Sequence, residues 1–355
     1  MRIAIFLPNW LGDLVMATPA LRAIRRHVGP ETHVTGILRP YLVDVLGGTN
    51  WLDDLCLFDP RASRSDVRRL ALVRRLRRER FDMALLLTNS LHTAILAWLG
   101  GARERVGYVR YARGPLLTTR LLPPRKNGRL LDSPMVGYYL KLAEAIGCPP
   151  ESPRLELATT EADEQSADRV WQALGLRPDS RVVLVNSSGA YGPSKLWPAE
   201  HFAGLARRIA VELDHEVLIL CGPAEREMAR DLVRRAAHPR VLSMVDQPLD
   251  FGTTKACMRR GRLMVSTDSG PRHMAAALGL PVVTLYGPML PIWGENPTVR
   301  AINLCLDLPC IGCHKRVCPL RHHRCMEELT VDMVYAAVVK LVQEGSVRPA
   351  TQVNL

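Results

Sequence analysis

The chain has 355 residues, about two domains' worth of protein. Lys and Arg total 47 against 35 Asp and Glu, a formal net charge of +12, and apolar residues make up 47%. This balance excludes a disordered or collagen-like chain and points to an anionic partner: nucleic acid, a membrane surface or a phosphorylated substrate.

In the first half, apolar runs at Arg2–Leu7, His33–Leu38, Met83–Leu87 and Arg105–Tyr108 alternate with helical patterns at Leu14–Arg26, Asp66–Arg80 and Ser90–Leu99. Residues 109–133 are rich in Arg, Pro and Gly, show no period, and read as a long surface loop. Gly147–Pro178 carries four prolines and one helical pattern, Glu161–Leu174, and reads as the connection between domains. The alternation then resumes. Runs at Arg181–Asn186, Glu216–Cys221, Arg262–Ser266 and Pro281–Tyr286 go with helices near His201–Leu213, Ala224–Ala237 and Pro271–Leu278. Apolar runs bounded by helices predict parallel sheets with crossover helices, here twice over. Two such domains leave a cleft, and ligands bind beyond the carboxyl ends of the strands, so the turns after the strands are where chemistry is expected.

Membrane spans and leaders are not expected. Met83–Gly101 is interrupted by Asn89, Ser90 and His92, and Ile3–Leu7 is too short for a signal-peptide core. The expected location is the cytoplasm, with the basic balance leaving room for peripheral contact at the inner face of the membrane. Nine cysteines, an odd number, argue against a disulfide framework there.

The first turn reads Leu7-Pro8-Asn9-Trp10-Leu11-Gly12-Asp13. Gly12 is expected to turn the backbone tightly. Asp13 reads either as a helix N-cap or as a general base facing the cleft. The most informative segment is Ser266-Thr267-Asp268-Ser269-Gly270-Pro271-Arg272-His273, a polar turn with Pro271 suited to the first position of a helix. Free amides and the helix dipole there favour an anion, with Asp268, Ser269 and His273 lining the site. Ser187, Ser188 and Gly189 follow the first strand of the second half, and Lys195 offers a point charge for phosphate. Glu225 suits ribose hydroxyls, or is an ordinary first-turn glutamate. Dinucleotide, P-loop, zinc-protease and nucleophile-elbow motifs are absent, as is a D-x-D metal clamp.

Asn9-Trp10-Leu11-Gly12-Asp13 with Met16-Ala17-Thr18-Pro19-Ala20-Leu21-Arg22, Asp268-Ser269-Gly270-Pro271-x-His273, and Gly279-x-Pro281 through Tyr286-Gly287-Pro288 resemble glycosyltransferase family 9. Within it the likeness is to the ADP-heptose:lipopolysaccharide heptosyltransferases, type II more than type I. It covers nearly the whole chain; Tyr286 stands where Phe is common. The resemblance implies a GT-B fold: two Rossmann-like doubly wound domains facing across a cleft. Residues 1–160 would bind the acceptor and 161–355 the nucleotide sugar, and a C-terminal helix returning to the first domain is allowed for. It further implies inverting transfer of heptose from ADP-L-glycero-D-manno-heptose to the lipopolysaccharide inner core. Asp13 matches the family's base and Lys195 the lysine on the donor diphosphate. Ser187 and Ser188 match its phosphate-binding hydroxyls, Asp268, Ser269, Gly270 and His273 its donor turn, and Glu225 its ribose acid, with Glu227 a near alternative.

No catalytic metal or other cofactor is expected. Cys310-x2-Cys313-x4-Cys318-x6-Cys325 carries ligand types for a structural zinc, but reduced thiols in a loop are the preferred reading. Nine arginines in residues 61–80 read first as a solvated helix face and second as a contact for anionic lipid or core phosphates. A family-9 transferase with another nucleotide sugar or acceptor, and a non-catalytic sugar-nucleotide-binding protein, are the competing functions. Asp13, Lys195 and Asp268 together argue against the second of these, and no recognition motif supports nucleic-acid binding.

Overall fold

The computed structural model describes residues 1–126 and 128–344; residue 127, in the stretch read as a surface loop, and 345–355, the end of the expected second domain, lie outside the described residues. The chain forms two units. Met1–Glu156 with Ile292–Gly294 make up the first, and Leu157–Pro291 with the chain from Glu295 onward the second.

The first unit carries the strands β1 (Arg2–Phe6), β2 (His33–Leu38), β3 (Asp54–Leu57), β4 (Met83–Leu86), β5 (Glu104–Tyr108) and β6 (Thr119–Leu121). They form one parallel sheet in the order β3-β2-β1-β4-β5-β6. Its helices are α1 (Leu11–Met16), α2 (Thr18–Val28), α3 (Arg69–Glu79), α4 (Leu91–Leu99) and α5 (Met135–Glu144). Ile3, Ala4, Ile5 and Phe6 are all buried, without alternation, because helices cover both faces of the sheet. On one face Ala4 and Phe6 pack with Ile37, Ala84 and Leu86, under Leu72 and Leu76 of α3 and Ala94 and Ala97 of α4. The helical pattern Leu14–Arg26 is two helices. Pro19, in the first turn of α2, has no amide to continue the ladder of α1, and the break falls at Ala17. The stretch read as a loop, 109–133, contributes the edge strand β6 and a short antiparallel hairpin, β7 (Arg125–Lys126) with β8 (Arg129–Leu130).

The second unit repeats the plan. After α6 (Glu161–Ala173) come β9 (Val182–Asn186), α7 (Ala199–Glu212), β10 (Glu216–Leu220), α8 (Arg226–Ala236), β11 (Val241–Ser243) and α9 (Phe251–Arg259). Then follow β12 (Leu263–Thr267), α10 (Gly270–Ala277), β13 (Val282–Tyr286), β14 (Ala301–Cys305), α11 (Arg324–Glu327) and α12 (Val331–Gln343). The strand order is β11-β10-β9-β12-β13-β14, again all parallel. α6 opens with a capping box: Thr160 Oγ1 accepts from the Asp163 amide and Asp163 Oδ2 from the Thr160 amide.

Both sheets are therefore of the doubly wound, Rossmann-like α/β class. In each, a central strand (β1 or β9) pairs with strands reached by opposite windings, and the switch point lies between β1 and β4 or between β9 and β12.

α12 belongs to the second unit. Val334, Val338 and Leu341 are buried in the second unit's own core with Phe202, Leu205 and Ile209 of α7. Leu341→Ala is expected to cost about 2–5 kcal/mol through the lost methyls and the cavity they leave. Urea unfolding measures this; a change under about 0.5 kcal/mol, typical of a surface substitution, would put α12 outside that core.

Candidate functional site

Two clusters of polar side chains lie at the carboxyl ends of the strands, one at each switch point. In the first unit β1 runs into Leu7-Pro8-Asn9-Trp10, and α1 begins at Leu11. Asp13 is not the N-cap. That position falls to Trp10, with extended backbone and no side-chain cap, and Asp13 lies in the first helical turn. Gly12 sits inside α1 and has no positive φ, so the tight turn expected of it is not what it supplies. The half-buried Asp13 carboxylate accepts a 3.1 Å hydrogen bond at Oδ1 from the Tyr139 hydroxyl on α5. Burial and the neighbouring Asp13 hold the Tyr139 phenol far above its usual pKa, so it stays a donor.

Beside this turn, a fully buried arginine stitches the ends of β4 and β5 together. Arg113 donates to the Tyr108 carbonyl at 2.8 Å, to the Thr88 carbonyl, and to Asn89 Oδ1 at 3.1 Å. Tyr138 donates to the same Asn89 oxygen, and its ring stacks on Tyr108 at 3.8 Å. Burial lowers the Arg113 pKa to about 10, which leaves the guanidinium charged. Arg113, Asn89 and Tyr139 were not singled out from sequence. Arg113 lay in the aperiodic stretch, and Tyr139 sits on a helix with no polar motif.

In the second unit the turns after β9 and β12 interlock. Asn186 donates to Ser266 Oγ at 3.0 Å and to Ser269 Oγ at 2.8 Å. Ser188 donates to Asn186 Oδ1, and Thr267 Oγ1 to the Ser188 carbonyl. Ser187 reaches Met228 Sδ at 3.4 Å. Ser187 and Ser188 are thus buried and internally bonded rather than projecting as exposed hydroxyls.

Lys195 Nζ donates to the Asp268 carbonyl at 2.7 Å and to its carboxylate at 2.6 Å. Arg272 Nε donates to the other carboxylate oxygen at 3.1 Å and stands over the Tyr286 ring. Burial alone would raise the Asp268 pKa, but Arg272 and Lys195 outweigh it and bring it to about 2. Desolvation, and next Arg272, push His273 well below its usual range, so the imidazole is neutral. Ser269 is the N-cap of α10 without a side-chain cap bond; Gly270 is the first helical residue and Pro271 the second, not the first. The turn brings Asp268, Ser269, Gly270, His273 and Lys195 together, and adds Arg272, which its i+4 spacing from Asp268 could have flagged.

Glu225 accepts from the Gly222 amide at 2.7 Å and so shapes the turn after β10. Glu227 is exposed and pairs with Arg230, which separates the two glutamates.

The Lys195 loop is fastened by the cysteine-rich segment. Ser194 bonds the Arg316 carbonyl through its amide at 3.1 Å and the Lys315 carbonyl through its hydroxyl at 2.6 Å. Tyr191 donates to the His314 carbonyl, and its ring lies under both Lys195 and Arg316. A Cβ on Gly192 would stand 2.6 Å from the Arg316 carbonyl oxygen, so only glycine allows this crossing. No disulfide joins Cys310, Cys313, Cys318 or Cys325 to another described residue. Burial, then the other three cysteines, raise the Cys325 pKa to about 11. Among the described residues no three His, Cys, Asp or Glu side chains are arranged to hold a metal ion.

The Lys195–Asp268 pair is 11% and 16% exposed, so each charge depends on the other. Asp268→Asn leaves Lys195 and Arg272 without their carboxylate and is expected to cost about 3–5 kcal/mol at neutral pH. Because the folded pKa is depressed, this stabilisation is full above the ordinary carboxylate value. The share that depends on the ionisation of Asp268 is lost as pH falls through about 2. Urea unfolding of wild type and variant should therefore show a gap that narrows between about pH 4 and pH 2; a gap independent of pH would assign the stability elsewhere.

The model of glycosyltransferase family 9 (heptosyltransferase) matches residues 69–323. A lipooligosaccharide heptosyltransferase 2 of Campylobacter jejuni is 23% identical over 356 residues, covering 96% of this chain and 99% of its own. A family-9 glycosyl transferase of Veillonella parvula superposes with a TM-score of 0.80 at 24% identity, covering 97% of each chain. The Escherichia coli ADP-heptose lipopolysaccharide heptosyltransferase II does so at 0.76 and 20% identity, covering 98% of this chain and 100% of that one. At these identities the solved structures speak for the fold, of GT-B type. The family match covers well over half of the sequence, and the chain belongs to glycosyltransferase family 9, a transferase enzyme of the heptosyltransferase kind.

Proposed function

We propose that the protein transfers a heptose from ADP-heptose to a hydroxyl of the lipopolysaccharide inner core, with inversion at the anomeric carbon. The observation that carries this reading is Lys195, held by Asp268 at the switch point of the second sheet beside the N-terminus of α10. A fixed cation and free helix amides suit a diphosphate. The names of the relatives, lipooligosaccharide heptosyltransferase 2 and ADP-heptose heptosyltransferase II, supply the sugar and the acceptor class.

In this reading the acceptor oxygen attacks the anomeric carbon from the side opposite ADP. The bond from that carbon to the phosphate oxygen breaks, and its electron pair leaves with ADP. Asp13 takes the hydroxyl proton, and the Tyr139 hydrogen bond holds the carboxylate in the orientation that accepts it. Lys195 and the amides at Ser269 and Gly270 stabilise the charge that develops on the diphosphate. Ser187, Ser188 and His273 shape the turns around it, and Glu225 offers a carboxylate to the ribose. No step needs a paired-carboxylate metal clamp.

The test uses ADP-heptose and a truncated core acceptor. Asp13→Asn is expected to fold normally and lose about 10²–10⁴-fold in kcat. Tyr139→Phe is expected to lose less, because the carboxylate stays but loses the hydrogen bond that orients it. Lys195→Ala is expected to weaken ADP binding in calorimetry. Near wild-type turnover in Asp13→Asn would remove the base assignment, and unchanged ADP affinity in Lys195→Ala would move the donor elsewhere.

Metal independence has its own check. Activity should persist in EDTA. Activity lost in EDTA and restored by magnesium, in protein that elemental analysis finds free of tightly bound metal, would contradict it.

A further inference from the structure

We propose that the outer face of α3 and α4 in the first unit docks on an anionic phospholipid surface. The two helices pack side by side on one face of the sheet through Leu72, Leu76, Ala94 and Ala97. What they and the residues flanking α3 turn outward is unusual for a solvated face. A solvated helix mixes charges of both signs and pairs them along its length. Here Arg64, Arg75 and Arg78 have carboxylate partners. Arg61, Arg68, Arg69, Arg74, Arg77 and Arg80 have none among the described residues. All six are exposed.

Large apolar side chains stand among these cations. Leu70 is 71% exposed, Trp98 54% and Leu91 39%. Leu70, Arg74 and Arg77 share one stripe of α3, and Leu91 and Trp98, seven residues apart, share one stripe of α4. The two stripes adjoin, because Arg77 Nε donates to the Leu99 carbonyl at 2.7 Å. Single exposed leucines are ordinary on a protein surface, but a Trp and leucines interleaved with unpaired arginines are the make-up of a face that lies in a membrane interface. The apolar side chains enter the acyl boundary, the arginines meet the headgroup phosphates, and the indole sits at the level between. Duplex nucleic acid would use the cations and leave Leu70 and Trp98 in water, so the lipid surface fits the face better.

The experiment is flotation of the full chain with phosphatidylcholine vesicles and with vesicles of phosphatidylcholine and phosphatidylglycerol. The wild type is expected to float with the anionic vesicles only, and less as salt rises. An arginine near such a surface is worth about fivefold in partition, so Arg74→Gln with Arg77→Gln should weaken it roughly 25-fold. Leu70→Ser with Trp98→Ser should weaken it about tenfold or more while leaving the thermal midpoint in place. Phosphate and chloride at equal ionic strength should release the protein equally. Failure of the wild type to float, variants that float as well as it, or selective release by phosphate would each overturn the proposal. So would tight retention of duplex DNA that the Arg74/Arg77 pair abolishes, if the Leu70/Trp98 pair also leaves flotation intact.

Discussion

Covering a parallel sheet on both faces leaves its polar chemistry one place to go. In β1 and β9 every residue from Ile3 to Phe6 and from Val182 to Asn186 is buried, and the first hydrophilic clusters appear where the strands stop. Asp13 and Tyr139 in one unit, and Asn186, Lys195 and Asp268 in the other, are where they are because the switch point is the one position at which two crossover connections part and leave a crevice. The duplicated strand order therefore determines the address of each site before any catalytic residue is considered.

Within the second unit the decisive pair is Lys195 with Asp268. A buried ammonium without a partner is costly; at 11% exposure the Asp268 carboxylate supplies that partner and holds Lys195 in one place. Asp268 in turn sits between two cations, Lys195 and Arg272, so the turn keeps net positive character even with its carboxylate ionised. The aspartate thereby orients both cations. The neutral His273 behind it adds bulk without competing charge.

Much of this was legible from residue order. The central strands carry uninterrupted Val, Ile and Leu, and their turns carry Gly, Ser, Asp and Pro, so β1, β2, β4, β9, β10, β12 and β13 could be read within a residue or two. The edge strands could not. β3 reads Asp-Leu-Cys-Leu, β6 Thr-Arg-Leu and β11 Val-Leu-Ser; each is short and half-exposed, and tertiary pairing rather than local pattern makes it a strand. The same limit hid Arg113 and Tyr139. Arg113 reaches Asn89, 24 positions away, and Tyr139 reaches Asp13, 126 away, and no local spacing encodes such a meeting. Asp13 read as a cap or a base; it stands in the first turn rather than at the cap, because the two positions differ by only a few residues.

The crossing at Gly192 has a consequence for how the protein is made. Ser194 bonds carbonyls more than 120 residues further along the chain, and Tyr191 reaches equally far. During synthesis β9 to β13 can pair as they emerge, but Tyr191 and Ser194 lack these carbonyl partners until the segment around His314–Arg316 has left the ribosome. The first unit's sheet needs no residue beyond Leu121 and can close much earlier. A nascent chain stalled between those two points would carry one finished sheet and a loose, uncommitted lysine loop.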